Sequence, residues 1–214
     1  PYGIGIENVV TGILEDAGVE IVKSIRYDSE KLDYLTELQE IKDANPDAIV
    51  HVGYHTDGAV VYEQADSLGL DTIKWVVSEG VYGLPGATYP AAAAFMAKPN
   101  FRGCTLAADP ELPAYQAFVA AYEARWGESP SVYCDTVYDA VKLIAKAIDK
   151  VGEYDGAAIK DALYEVGVNY NGASGVITFD ATGDRIHATY GIWKLQYNEE
   201  TEEYEYVILE YIPL

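Results

Sequence analysis

The chain has 214 residues, half of them hydrophobic, with 14 Lys and Arg against 35 Asp and Glu for a formal charge of −21. That length and apolar content allow one large domain or two small ones with a sizeable core. The charge, with no basic cluster, argues against nucleic-acid binding and against anionic membranes.

Residues 4–17 are predicted to form a helix, with Ile6, Val9, Val10, Ile13 and Leu14 on one face at helical spacing and Gly18 closing it. Residues 19–25 read as a strand. Asp28-Ser29 suits the cap of a second helix over 32–44, where Leu32, Leu35, Leu38 and Ile41 recur every three residues. Asn45-Pro46 breaks that helix. Residues 48–52 form a buried strand running into Gly53-Tyr54. A short amphipathic helix over 58–68 follows, closed by Gly69, and a second strand over 73–77 runs into Ser78-Glu79-Gly80. Residues 81–100, rich in Pro, Gly and Ala, read as a loop with one short helix. A strand over 101–107 leads to Asp109-Pro110, which starts a helical region: 112–126, 131–151 and 156–166. The last part is β, over 175–179, 188–195 and 204–211, with NEETEE as a solvated hairpin turn. No internal repeat occurs.

The β/α alternation with short turns predicts an α/β fold with a doubly wound, mostly parallel sheet. The three consecutive helices suggest a second lobe, which the chain enters near Phe101 and leaves near Gly172. Residues 1–100 and 172–214 would then share one lobe, and 101–171 would hold the crossover and the helices of the other.

In an open α/β sheet, ligands bind outside the carboxyl ends of parallel strands. That rule brings Tyr54 and Glu79 to one rim of one crevice, an aromatic wall beside a carboxylate. The pair suits a small ligand with a positive charge and an apolar part, such as an amino acid. His51, His55 and His187 show no metal-ligand spacing, and His51, inside an apolar strand, is expected to be a satisfied core histidine. Cys104 and Cys134 also lack metal spacing. Either they pair, closing a loop that would stabilise by about 3.5 kcal/mol on the chain-entropy model, or they are two separate thiols. No nucleophile–base pair, phosphate loop or dinucleotide fingerprint is present, so neither an enzyme nor a cofactor is expected. No run is apolar enough to span a bilayer, and the start PYGIGIEN, with no Met and no signal peptide, reads as that of a processed or truncated product.

Four segments resemble a known family. They are PYGIGIENVVTGILEDAGVEIV, with a "YG.G" helix start; DYLTELQEIKDANPDAIVHVGYHTDGAVVYEQADSLGL, a strand between paired helices; ARWGESPSVYCDTVYDAVKLIAKAI, a helix pair; and NGASGVITFDATGDRIHATYGIWKL, a closing "G..G...FD..GD......Y.IW" block. In this order they resemble the type I periplasmic binding proteins, in particular the branched-chain amino-acid receptor family of ABC transporters. The resemblance implies a C-terminal portion only, without the N-terminal lobe and without the first strand of the second lobe. It implies that Glu79 holds the α-ammonium of an amino acid and that Tyr54 packs on the ligand. Gly80 would admit close backbone approach, and Tyr2 is the aromatic of the "YG.G" start. Tyr133 would be an aromatic at the start of a first-lobe helix, facing the cleft. Tyr82 and Asp57 are weaker candidates, expected to be structural or solvated.

The implied function is a solute-binding receptor that hands its ligand to an ABC permease, in the periplasm or outside the cell, with a lipid anchor as one option. The alternative is a ligand-sensing ectodomain or a regulatory amide- or small-carboxylate-binding protein of the same fold. Helices over 112–151 are expected to expose an apolar face, to be covered by a homodimer partner, by exchanged elements or by a bound N-terminal fragment.

Overall fold

The computed structural model describes residues 1–214. The chain divides into two units, residues 1–105 with 192–209, and residues 106–191 with 210–214. The first unit begins with α1 (Tyr2–Asp16) and α2 (Leu35–Asp43). It continues with β1 (Ala48–His51), α3 (His55–Ser67), β2 (Lys74–Val77), α4 (Pro90–Met96) and β3 (Phe101–Leu106). The second holds α5 (Pro113–Trp126), α6 (Cys134–Val151), α7 (Gly156–Val166) and a small hairpin of β4 (Tyr170–Gly172) and β5 (Gly175–Ile177). The last strands are β6 (Thr189–Asn198) and β7 (Glu203–Pro213).

A five-stranded sheet runs in the order β1-β2-β3-β6-β7, and β1, β2 and β3 are mutually parallel neighbours. This is the predicted α/β sheet. Side chains alternate across it, so Ile49, His51, Trp75 and Val77 point inward while Val50 and Val76 remain about half exposed. The inward face carries an aromatic core. Tyr62 of α3 stacks on Phe95 of α4 at 5.7 Å and meets Phe101 edge-on at 5.1 Å, while Trp75 meets Phe95 at 5.4 Å. Each such pair adds about 0.5–1.5 kcal/mol beyond its burial. Gly103 is needed here because a Cβ at that position would enter the indole of Trp193, itself fully buried.

In the second unit, α6 and α7 pack around Ala147, Ile159 and Ala162. The other anchor is polar. Asp139 is 1% exposed, and its carboxylate accepts hydrogen bonds from the Ala173 N–H (2.8 Å), the Ser174 N–H (2.7 Å) and the Ser174 hydroxyl (2.6 Å). The Arg185 guanidinium donates to the same serine, at 2.9 Å to its hydroxyl and 2.7 Å to its carbonyl. Gly172 leaves room for that carboxylate. The outer side of α6 exposes Val137, Val141 and Ile144 at i, i+4 and i+7, an apolar stripe of the kind expected over 112–151.

Several elements differ from expectation. Residues 19–25 have strand composition but form no strand. A strand exists only through paired backbone groups on a neighbour, and β1, at the sheet edge, pairs with β2 alone. Side chains of this segment bind helices instead, Lys23 to Glu40 at 2.7 Å and the Ser24 hydroxyl to Glu7 at 2.6 Å. Helix α1 is amphipathic as predicted, yet it buries no residue, and Val9 and Ile13 are each 62% exposed. Helix α2 starts at Leu35 because the Asp33 carboxylate takes the Leu35 N–H at 2.9 Å, which leaves Leu32 outside the helix and exposed. Helix α3 starts at His55, directly after the extended Tyr54. The β4 strand was not expected; its turn is supplied by Gly175 at φ +100°. Cys104 and Cys134 are both free thiols, one in each unit.

Candidate functional site

Strands β1 and β2 run in parallel register, with His51 opposite Val77, so their carboxyl ends emerge side by side. The Ser78 N–H donates to the His51 carbonyl at 3.1 Å and carries the ladder one step past the strand. The Ser78 hydroxyl accepts from the Gly53 N–H at 3.3 Å and donates to the Gly53 carbonyl at 3.4 Å. The turns Val52-Gly53-Tyr54 and Ser78-Glu79-Gly80 are thereby joined. Gly80 is required by this closeness, since a Cβ there would run into the Gly53 carbonyl oxygen and crowd the Tyr54 ring.

Tyr2, at the start of α1, lays its ring on that of Tyr54, with centroids 5.2 Å apart and planes 27° apart. Its hydroxyl is buried beside Ser78, Glu79 and the Gly80 backbone, and none of them lies in good hydrogen-bond geometry to it. Burial is the main cause that pushes the Tyr2 pKa up to about 12, and the Glu79 charge adds to it. Four of the five residues singled out from the sequence, Tyr2, Tyr54, Glu79 and Gly80, therefore meet at one rim of the first unit. Tyr54 is half exposed, and Glu79 is partly buried and makes no salt bridge.

Tyr133 belongs to the second unit. It is the residue before α6, partly exposed, in the left-handed region at φ 70°. Asp57 is buried and structural, accepting from the Glu30 N–H at 2.7 Å and the Tyr34 hydroxyl at 3.3 Å. Tyr82 packs between Trp193 and Tyr206. His51 is a satisfied core histidine, with its two ring nitrogens 2.7 Å from the Tyr62 hydroxyl and 2.9 Å from the Tyr27 hydroxyl. A separate small cavity lies in the second unit, lined by Ala107, Asp135, Thr136, Ser174, Arg185 and Thr189. Two of its polar groups, Ser174 and Arg185, belong to the Asp139 anchor.

Sequence reasoning passed over two residues of the rim. Ser78 carries a signal, because a small hydroxyl between a strand end and the candidate carboxylate is suited to joining two turns. Tyr27 carries none, being one of 19 tyrosines.

A carboxylate free of any ion pair, set beside two stacked phenol rings on a protein of charge −21, favours a cation with apolar substituents. The carboxylate supplies charge-assisted hydrogen bonds, the rings supply cation–π and apolar contact, and the acidic field raises the local concentration of cations. The parallel β1-β2-β3 strands with their connecting helices place the chain in the α/β class. A type I periplasmic binding protein of Bordetella pertussis superposes with a TM-score of 0.77 over 97% of this chain and 58% of its own, at 20% identity.

The chain belongs to the periplasmic binding protein family, whose sequence profile matches residues 1–200. A Leu/Ile/Val-binding protein homolog of Brucella abortus is 29% identical over 170 residues, 78% of this chain and 43% of the relative. The leucine-, isoleucine-, valine-, threonine- and alanine-binding protein of Pseudomonas aeruginosa is 27% identical over 183 residues, 86% of this chain and 47% of the relative. Among solved structures, a leucine-binding protein of Thermotoga maritima superposes with a TM-score of 0.77 at 23% identity, covering 99% of this chain and 57% of its own. The chain thus spans about half the length of the curated relatives it matches.

Proposed function

We propose that the protein is the solute-binding receptor of an ABC importer and that it captures an amino acid, branched-chain or otherwise apolar or aromatic. In this reading the ligand enters a cleft that closes between two lobes, and closure is read by a membrane permease. The α-ammonium sits on Glu79, and the side chain lies against Tyr54 and Tyr2. Gly80 lets the backbone approach, and Tyr133 is a further aromatic contact. The protein performs capture and delivery without bond chemistry, in the periplasm or at the outer face of the cell.

The observation that carries this reading is the Glu79 carboxylate, free of any salt bridge, beside the Tyr2–Tyr54 stack at the carboxyl ends of two parallel strands. The names of the Brucella and Pseudomonas relatives support the ligand class. The test is calorimetric titration of the protein with the twenty amino acids and with N-acetylated forms of those that bind. One apolar or aromatic amino acid is expected to bind, and its N-acetyl form, which lacks the ammonium charge, is expected not to. Equal binding of both forms would remove the ammonium site from the reading.

The exposed Val137, Val141 and Ile144 stripe supports a further part of the reading, that α6 is covered by a second copy or by an N-terminal segment. Light scattering checks this: a monomer with nothing bound would contradict it.

A further inference from the structure

Beneath the rim lies a chain of buried polar groups. The His51 side chain is 7% exposed and lies between two phenols: Nδ1 faces the Tyr62 hydroxyl at 2.7 Å and Nε2 faces the Tyr27 hydroxyl at 2.9 Å. The Tyr27 hydroxyl also donates to the Val52 carbonyl at 3.3 Å. Tyr62 is fully buried among Phe95, Phe101 and Trp75, so its proton has one acceptor within reach, His51 Nδ1. A buried hydroxyl left without an acceptor carries the full cost of its desolvation. That fixes the order. Tyr62 donates to Nδ1, Nε2–H donates to Tyr27, and Tyr27 donates to Val52. The opposite tautomer would leave the Tyr62 proton among aromatic rings.

The relay ends on the ligand turn. The Tyr27 oxygen occupies the space where a Cβ on Gly53 would stand, so the turn rests on that hydroxyl. The Gly53 carbonyl in turn abuts Gly80 and Ser78, and the next residue is Tyr54, stacked on Tyr2. We infer that Tyr62, His51 and Tyr27 form a hydrogen-bond relay of one fixed direction that sets the position of Val52-Gly53-Tyr54, making His51 and Tyr27 positioning residues for the proposed amino-acid site. The inference rests on the proposed function for its ligand, but not for the relay itself.

The groups around His51 agree with a neutral ring. Tyr62 faces it from α3 and Tyr27 from the segment between α1 and α2, and Trp75 of β2 meets it edge-on at 6.5 Å. Asp57 is the carboxylate that acts on it, and that group is held by the Glu30 N–H and the Tyr34 hydroxyl. Burial outweighs the Asp57 charge and brings the His51 pKa down to about 4.

The test has two readouts. The first is the imidazole nitrogen spectrum of the protein at pH 7, where only three histidines contribute and His51→Gln identifies the signal. A single Nε2–H tautomer is expected, and Tyr27→Phe should abolish that purity and shift the Gly53 and Tyr54 amide resonances. An Nδ1–H tautomer, or Gly53 and Tyr54 amides unmoved by Tyr27→Phe, would overturn the relay. The second is amino-acid affinity. Tyr27→Phe should weaken binding by about tenfold, the equivalent of one hydrogen bond. His51→Gln, whose amide offers one donor and one acceptor, should retain more affinity than His51→Ala. Unchanged affinity in Tyr27→Phe would overturn the positioning role. Absence of binding in every form, with the tautomer as expected, would count against the ligand reading and leave the relay standing.

Discussion

Replacing Asp139 tests the polar anchor of the second unit. Its carboxylate holds three donors at 2.6–2.8 Å and is 1% exposed. Hydrogen bonds to a charged group contribute about 1.5–3 kcal/mol each, and they are not additive. Asp139→Ala leaves the Ala173 and Ser174 N–H groups without acceptors. It also removes the negative charge that favours the ionised state of half-buried Arg185. Loss of one partner from such a buried charged network costs about 3–5 kcal/mol. Asp139→Asn keeps one carbonyl oxygen but turns an NH2 toward donors, so its loss is smaller, about 1–3 kcal/mol. Urea unfolding followed by far-UV circular dichroism reads both. With a slope of about 1–3 kcal/mol per molar urea, Asp139→Ala should lower the midpoint of the second unit by more than about 1 M, with Asp139→Asn between it and wild type. An Asp139→Ala midpoint within about 0.3 M of wild type would show that water replaces the carboxylate and that the network carries little stability.

Three further outcomes are expected. Stability should fall as pH drops from about 6.5 to about 4, because His51 stays neutral in the fold while the unfolded chain takes up a proton. Its folded pKa is about 4 against 6.5, so 6.5 minus 4 leaves about 2.5 pH units, or about 3 kcal/mol at 1.36 kcal/mol per unit. His51→Gln should flatten the unfolding free energy in that window, and an unchanged slope would refute the assignment. Gly103→Ala drives a methyl into the Trp193 indole and should destabilise by about 1–3 kcal/mol, read as a lower thermal midpoint; an unchanged midpoint would mean that the indole moves aside freely. Gly80→Ala forces the two turns apart, and it should weaken ligand binding more than it lowers thermal stability.

The parts of the fold readable in the sequence were those fixed by local pattern. The strands ending at Gly53-Tyr54 and Ser78-Glu79, the helix over Gly156–Val166 and the Gly18 stop at φ +79° all follow from periodicity and turn chemistry. Residues 19–25 did not follow, because strand formation depends on a neighbour that local sequence does not reveal. The apolar face of α1 was legible, but whether anything buries it was not.

At the site, the α/β strand-end rule found Tyr54 and Glu79 from spacing, and the family resemblance added Tyr2 and Gly80. Tyr27 was invisible because its role depends on reaching His51 across 24 positions of sequence. The Asp139–Ser174 contact, across 35 positions, was hidden for the same reason.

The central claim is that Glu79 receives the ammonium group of an amino acid. The direct test is calorimetric titration of the wild type and of Glu79→Gln with whichever amino acid binds the wild type. Glu79→Gln keeps the shape of the side chain and removes its charge. Affinity is expected to fall by about 100-fold, the scale of a buried charge pair losing one partner. Glu79→Gln binding within about threefold of wild type, well under one hydrogen bond's worth of free energy, would contradict it and leave Glu79 a loop carboxylate on an acidic protein.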